Sequence, residues 1–127
     1  MFLPPRRPRR STRPRPPAKP VKPAPRLPDD EARAELLRAL DLLDSPPEEV
    51  FDRITRLVAT LLDVPVALLS LIDRERQFFK SAHGLPLRET PREISFCGHA
   101  LAQQAPLIVP DATQDERFAD NPLVCAA

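Results

Sequence analysis

The stretch Val64-Pro65-Val66-Ala67-Leu68-Leu69-Ser70-Leu71-Ile72 constrains this chain more than any other. Read as a strand, it places Val66, Leu68, Ser70 and Ile72 on one side and Ala67, Leu69 and Leu71 on the other, so both faces are apolar. Such a strand belongs at the centre of a sheet and must be covered twice. Periodicity alone also admits a helix. Pro65, the β-branched content and the charged turn Asp73-Arg74-Glu75-Arg76 favour the strand.

One cover is expected from the segment Pro46 to Leu62. Its residues Val50, Ile54, Leu57, Val58 and Leu61 recur on one helical face, with Phe51 beside them and Asp52, Arg53 and Arg56 toward water. Ser45 is placed as N-cap, Pro46 as first helical residue and Glu48 as the partner in a capping box. An earlier helix is expected from Asp29-Asp30-Glu31 to about Leu43. Ala32, Leu36, Leu37, Leu40 and Leu43 form its apolar set, and its acidic start suits the helix dipole.

After the turn, Gln77 to Ala82 reads as the returning strand of a hairpin, ended by His83-Gly84. Leu85 to Glu93 reads as a loop. A short helix capped by Ser95 is expected over Ile94–Ala102 although Gly98 weakens it, then a third strand at Pro106–Pro110, closed by Asp111-Ala112-Thr113. Gln114 to Pro122 reads as a lid-like turn and loop.

Proline is the abnormal component, with 18 prolines against two glycines. Ten of the 18 fall within Met1–Pro28, together with nine basic side chains and no acidic one. The other 99 residues hold ten basic and 18 acidic residues, so charges of +9 and −8 nearly cancel in the total of +1. Met1–Pro28 therefore reads as a disordered, extended tail, because proline removes backbone donors and little apolar surface is available to bury. Nine positive charges suit phosphates, yet only Phe2 is available to stack on a base, so no specific nucleic-acid partner is expected. The remainder, 29–127, is long enough for one domain with its own core. Two cysteines make no disulfide framework, and paired arginines at Arg6-Arg7 and Arg9-Arg10 are not followed by an apolar stretch. Free thiols, a cytoplasmic setting and no membrane span are expected.

Taken together, Asp44-Ser45-Pro46-Pro47-Glu48-Glu49, Phe51-Asp52-Arg53-Ile54 and the Val64–Asp73 stretch resemble the GAF domain. The likeness continues through Gln77-Phe78-Phe79-Lys80-Ser81, Gly84-Leu85, Glu89-Thr90-Pro91-Arg92, Ser95-Phe96-Cys97-Gly98-His99-Ala100, Val109-Pro110-Asp111-Ala112-Thr113 and Asp115 to Pro122. It covers roughly Glu31 to Val124 in the family's order. It implies an α+β fold: an antiparallel sheet with helices on one face and a ligand cavity on the other. The subgroup it looks like stands at the N-terminus of bacterial sensor histidine kinases and diguanylate cyclases. In that family further strands, one pairing beside the first, and a closing helix follow the position of Val124, so 29–127 is expected to be a partial GAF domain and an unstable monomer. The implied function is signal sensing in a regulatory module. It would bind an unknown small molecule or form a homodimer, and would control a kinase or cyclase domain outside this chain. Ligand-facing positions expected from the resemblance are Ser95, Phe96, Cys97, His99, Asp111 and Phe118, with no catalytic residue, no metal ligand and no cofactor.

Cys97-x-His99 is the pair that most suggests chemistry, since a thiol and an imidazole near a cavity could bind a metal ion or a bilin. Two positions apart on a helix they point in different directions, which disfavours a shared metal ion. Tetrapyrrole-binding relatives place Cys and His side by side and carry an aspartate motif without counterpart here. Cys97 and Cys125 faintly resemble the attacking and resolving thiols of free methionine-R-sulfoxide reductase, a GAF-fold enzyme, but their spacing is shorter and the residues after Cys125 differ. The carboxylate pairs Glu48-Glu49 and Asp29-Asp30 sit at helix starts, and two glycines cannot build a phosphate loop. A non-enzymatic module is expected, with the thiol enzyme and a ligand-free interaction module as the alternatives.

Overall fold

The computed structural model describes residues 21–125. Helix α1 (Asp30–Ala39) and helix α2 (Glu49–Leu62) precede strand β1 (Ala67–Ile72), strand β2 (Arg76–His83) and strand β3 (Glu89–Pro91). A 3-10 turn (Arg92–Ile94), helix α3 (Phe96–Gln103) and the short helix α4 (Pro122–Cys125) follow. The three strands form one antiparallel sheet in the order β1-β2-β3. The α+β class and the antiparallel hairpin at 67–83 are as expected.

Among the described residues β2 lies between its neighbours and β1 has one open side, the side on which the resemblance implies a further strand. The third strand is Glu89–Pro91, within the stretch read as a loop, while Pro106–Pro110 forms no strand and leaves Ile108 exposed. Flanking prolines give Pro106–Pro110 few donors, whereas Thr90 and Glu89 fall opposite Gln77 and Phe78 and take up the free side of β2. Gly84 closes the hairpin strand with φ +75°, and a Cβ there would stand 1.9 Å from the carbonyl oxygen of Pro65. That contact ties the end of β2 to the start of β1 and admits no side chain.

Pairing runs Leu69 to Ser81 and then Ser70 to Phe79, so Lys80 is an extra residue, a bulge in β2. Its ammonium group is buried and donates to Ser45 Oγ (2.6 Å), the Pro46 carbonyl (2.9 Å) and Glu48 Oε1 (2.5 Å), with the Phe51 ring 5.3 Å away. Here the expected capping box fails. Ser45 and Glu48 hold Lys80 instead, Pro46 and Pro47 lie outside the helix, and α2 begins at Glu49 with no side-chain cap. Three charge-assisted bonds to a buried ammonium outweigh a cap worth about 1 kcal/mol.

Helix α2 also turns an unexpected face inward. Thr55 and Ala59 are its buried residues, while Val50, Ile54, Leu57, Val58, Leu61 and Leu62 are exposed. Thr55 Oγ1 and Ser81 Oγ meet at 2.8 Å, and Ser81 donates to Asp52 Oδ1 at 2.6 Å. Short side chains let the helix come close to the sheet, and the hydroxyl chain satisfies the polar groups buried by that approach. The apolar set expected on α1 behaves likewise: Leu36 and Leu40 are exposed and Ala34 is buried.

Charges fasten α1 to the sheet. Arg33 donates to Asp30 and, at 2.5 Å, to the carbonyl of Ile72, and the buried Arg92 lies 2.5 Å from Asp30 Oδ2 while donating to the Asp73 carbonyl. Burial would raise the pKa of Asp30, but Arg33 and Arg92 outweigh it and hold the carboxyl below its ordinary range.

Candidate functional site

Ser81 bonds to Thr55 of α2 and pairs with Leu69, so Leu69 faces α2 and Ser70, the next residue, faces the opposite side. That second side is covered by α3. Ser95 (φ −83°, ψ 127°) is its N-cap, as the sequence indicates, and accepts from the Gly98 N–H at 2.8 Å. The cap orients the first turn so that Cys97 reaches the sheet: Gln77 Nε2 donates to Ser70 Oγ at 3.0 Å and to Cys97 Sγ at 3.4 Å, and the thiol lies 3.7 Å from Ser70. Three uncharged polar groups thus meet in the middle of an apolar face.

The other side of α3 carries aromatic groups. Phe96 stacks on the buried Phe118 with centroids 4.0 Å apart and planes 12° from parallel, and the His99 ring meets Phe118 edge-on at 4.9 Å. Arg117 lies over Phe118 at 5.1 Å and is paired with Asp115, whose carboxyl it draws down to a pKa of about 2. Burial depresses the pKa of His99, and the Arg117 charge adds to this against the raising effect of the Lys22 carbonyl. Asn121 locks the 115–121 segment in place: its amide donates to the Ile94 carbonyl at 2.8 Å and its oxygen accepts from Leu123 N at 2.9 Å.

Of the six expected positions, Ser95, Phe96, Cys97, His99 and Phe118 come together on or against α3. Asp111 does not join them. It is exposed and folds back on Thr113 N and Oγ1 at 2.9 and 2.6 Å, an Asx turn of its own loop. Ser70, Gln77 and Asn121 escaped the sequence reading. Ser70 had a signal, as the one polar residue in the apolar stretch; Gln77 and Asn121 lie in segments that carry the resemblance, which assigned them no role. Cys97 and Cys125 are free thiols, and Cys125 Sγ bonds to the Ala119 carbonyl. Among the described residues no group of three or more His, Cys, Asp or Glu could hold a metal ion, and no helix is long and apolar enough to cross a membrane.

A cleft of about 470 Å³ opens on the α2 side, with Asp52, Arg56 and Arg88 at its walls and the 85–88 loop at its rim. None of the expected ligand positions lines it.

An antiparallel sheet thus has α2 on one side and a capped helix carrying polar and aromatic groups on the other. The chain belongs to the GAF domain family, whose sequence profile matches residues 46–127. It is also similar to a cyclic di-GMP phosphodiesterase of Pseudomonas aeruginosa, 41% identical over 101 residues that cover 79% of this chain. The chain spans 17% of that relative's length.

Proposed function

We propose that this chain is the sensing part of a cytoplasmic signalling protein, in which the sheet face beneath α3 takes a small, flat, uncharged ligand and its occupancy controls an output domain. The meeting of Gln77, Ser70 and Cys97 carries this proposal. A thiol is a weak acceptor, so a ligand carbonyl or ring nitrogen can replace it opposite the Gln77 amide at little cost. On the other side of α3 the stacked pair Phe96 and Phe118 backs the turn that carries Cys97. In this reading the module regulates and leaves chemistry to the output domain, and Cys97 and Cys125 serve separate contacts, Cys97 with Gln77 and Ser70 and Cys125 with the Ala119 carbonyl. The resemblance attaches a kinase or cyclase as the output, and the similar protein's name adds cyclic di-GMP hydrolysis to these.

Thermal shift with guanosine and adenosine tests it, with the doubly anionic cyclic di-GMP as the charged comparison. A ligand at a hundredfold excess over Kd stabilises by about 2.7 kcal/mol, a gain that should vanish in Gln77→Ala. If no compound moves the Tm and the chain instead associates with itself, the second function holds. That function is dimerisation, favoured by the exposed row Val50, Ile54, Leu57 and Leu61 on α2.

A further inference from the structure

The segment Val21-Lys22-Pro23-Ala24-Pro25-Arg26-Leu27-Pro28 closes the stretch read from sequence as a disordered tail, and the structure gives it a defined place; residues 1–20 lie outside the described residues. It has no helix or strand, yet its exposure is periodic. Val21, Ala24 and Leu27 are half-buried and the five residues between and after them are exposed. A repeat of three is that of the polyproline-II helix, and the prolines at 23, 25 and 28 favour such extended geometry at Lys22, Ala24 and Leu27.

Its inner face follows α3. Ala24 sits on Gly98 so closely that a Cβ on the glycine would stand 2.9 Å from the Ala24 Cβ, and the Lys22 carbonyl is 3.2 Å from His99 Nε2. Arg26 pairs with Glu75 at 2.7 Å, and Leu27 O accepts from Asp30 N at 3.2 Å. Hollows flank the segment on both sides. One is bounded by Pro91–Glu93 and Glu75, the other by Gln114, Glu116 and Asp120, so acidic side chains border a strap whose charges are Lys22 and Arg26.

We infer that the surface of α3 between the 92–94 turn and the 114–120 loop is a recognition groove for polyproline-II segments with basic residues, occupied in cis by Val21–Pro28. Gly98, an unfavourable residue within a helix, gives the groove its floor. The carbonyls of an extended segment have no partner in their own strand, and His99 supplies a donor for one of them. The strap is a reversible ligand of its own domain. It crosses the helix that carries Cys97 and His99, and a proline-rich basic peptide from outside competes for the same place.

Tryptic cleavage of the Arg26–Leu27 bond in the full chain reports the docked state. Against a free synthetic peptide of residues 21–32, the bond in the chain should be cut at least about tenfold more slowly, because cleavage follows the open population. Ala24→Glu, which puts a charge against Gly98, should remove the protection, and Glu75→Gln should remove part of it. A labelled peptide of residues 21–28 should bind the Ala24→Glu chain and not the unchanged one. Equal cleavage in the chain and the free peptide overturns the inference, as does a peptide that fails to bind the Ala24→Glu chain while that chain keeps its cooperative melt.

Discussion

The two sides of the β1–β2 hairpin are held by opposite means. On the α2 side short polar residues do the joining, through Thr55, Ser81, Asp52 and the buried Lys80, and the bulky apolar residues of the helix point outward. On the α3 side a stacked aromatic pair with Phe118 buried holds the layer, and the groups that meet between helix and sheet, Gln77, Ser70 and Cys97, are neutral, with long contacts to the thiol. Polar joints between buried groups are directional, and they fail when one partner is lost. Aromatic packing tolerates small displacements. On this difference the α2 side is the firmer frame, and the ligand and the strap exchange proposed above would both act on the α3 side.

The largest expected effect comes from Phe118→Ala, which should cost about 4 kcal/mol in urea denaturation and free both Phe96 and His99. A smaller loss would mean that α3 is held mainly by Asn121 and the Ser95 cap. Lys80→Ala should cost about 3 kcal/mol, toward the low end for a broken pair because Glu48 is half-exposed. Lys80→Met, which keeps the stem, should recover less than half of that if the hydrogen bonds rather than the volume matter. Thr55→Val alone should cost about 1 to 2 kcal/mol by leaving Ser81 with one partner fewer.

The next effect is pH-dependent and, near neutral pH, comes from the α3 side. With its pKa depressed, His99 contributes stability that is complete above its unfolded value of about 6.5 and is lost as pH falls through the folded value. Asp115 works in a lower window, complete above the ordinary aspartate value and lost toward pH 2. Urea midpoints followed from pH 7.5 to 5.5 should decline in the unchanged chain and decline less in His99→Gln. The smallest effect on stability, within about 0.5 kcal/mol, is expected for Leu57→Lys on the outward face of α2, and sedimentation should show whether self-association falls with it.

The sequence carried the hairpin, the α+β class, the family and the Ser95 cap, because each depends on neighbours in the chain: alternation, a charged turn, a hydroxyl three residues before Gly98. It misplaced whatever depends on residues far apart. Ser45 and Glu48 satisfy every local rule for a capping box, but Lys80 lies more than thirty residues away and needs the same oxygens. Helix α2 shows a strong apolar row, yet periodicity does not say which face the sheet will accept, and close approach selected Thr55 and Ala59. The period of three in Val21–Leu27 was present in the letters, hidden by prolines that also describe a chain with no contacts.

Lys80 has a mechanical consequence. One ammonium group holds two side chains and a carbonyl in the connector between α1 and α2, and it does so from the bulge of the middle strand. The connector is therefore no slack linker: besides the charged contacts that fasten α1 to the sheet, it is tied to β2 at a second place, and three short bonds to one nitrogen are made or lost together, like a latch.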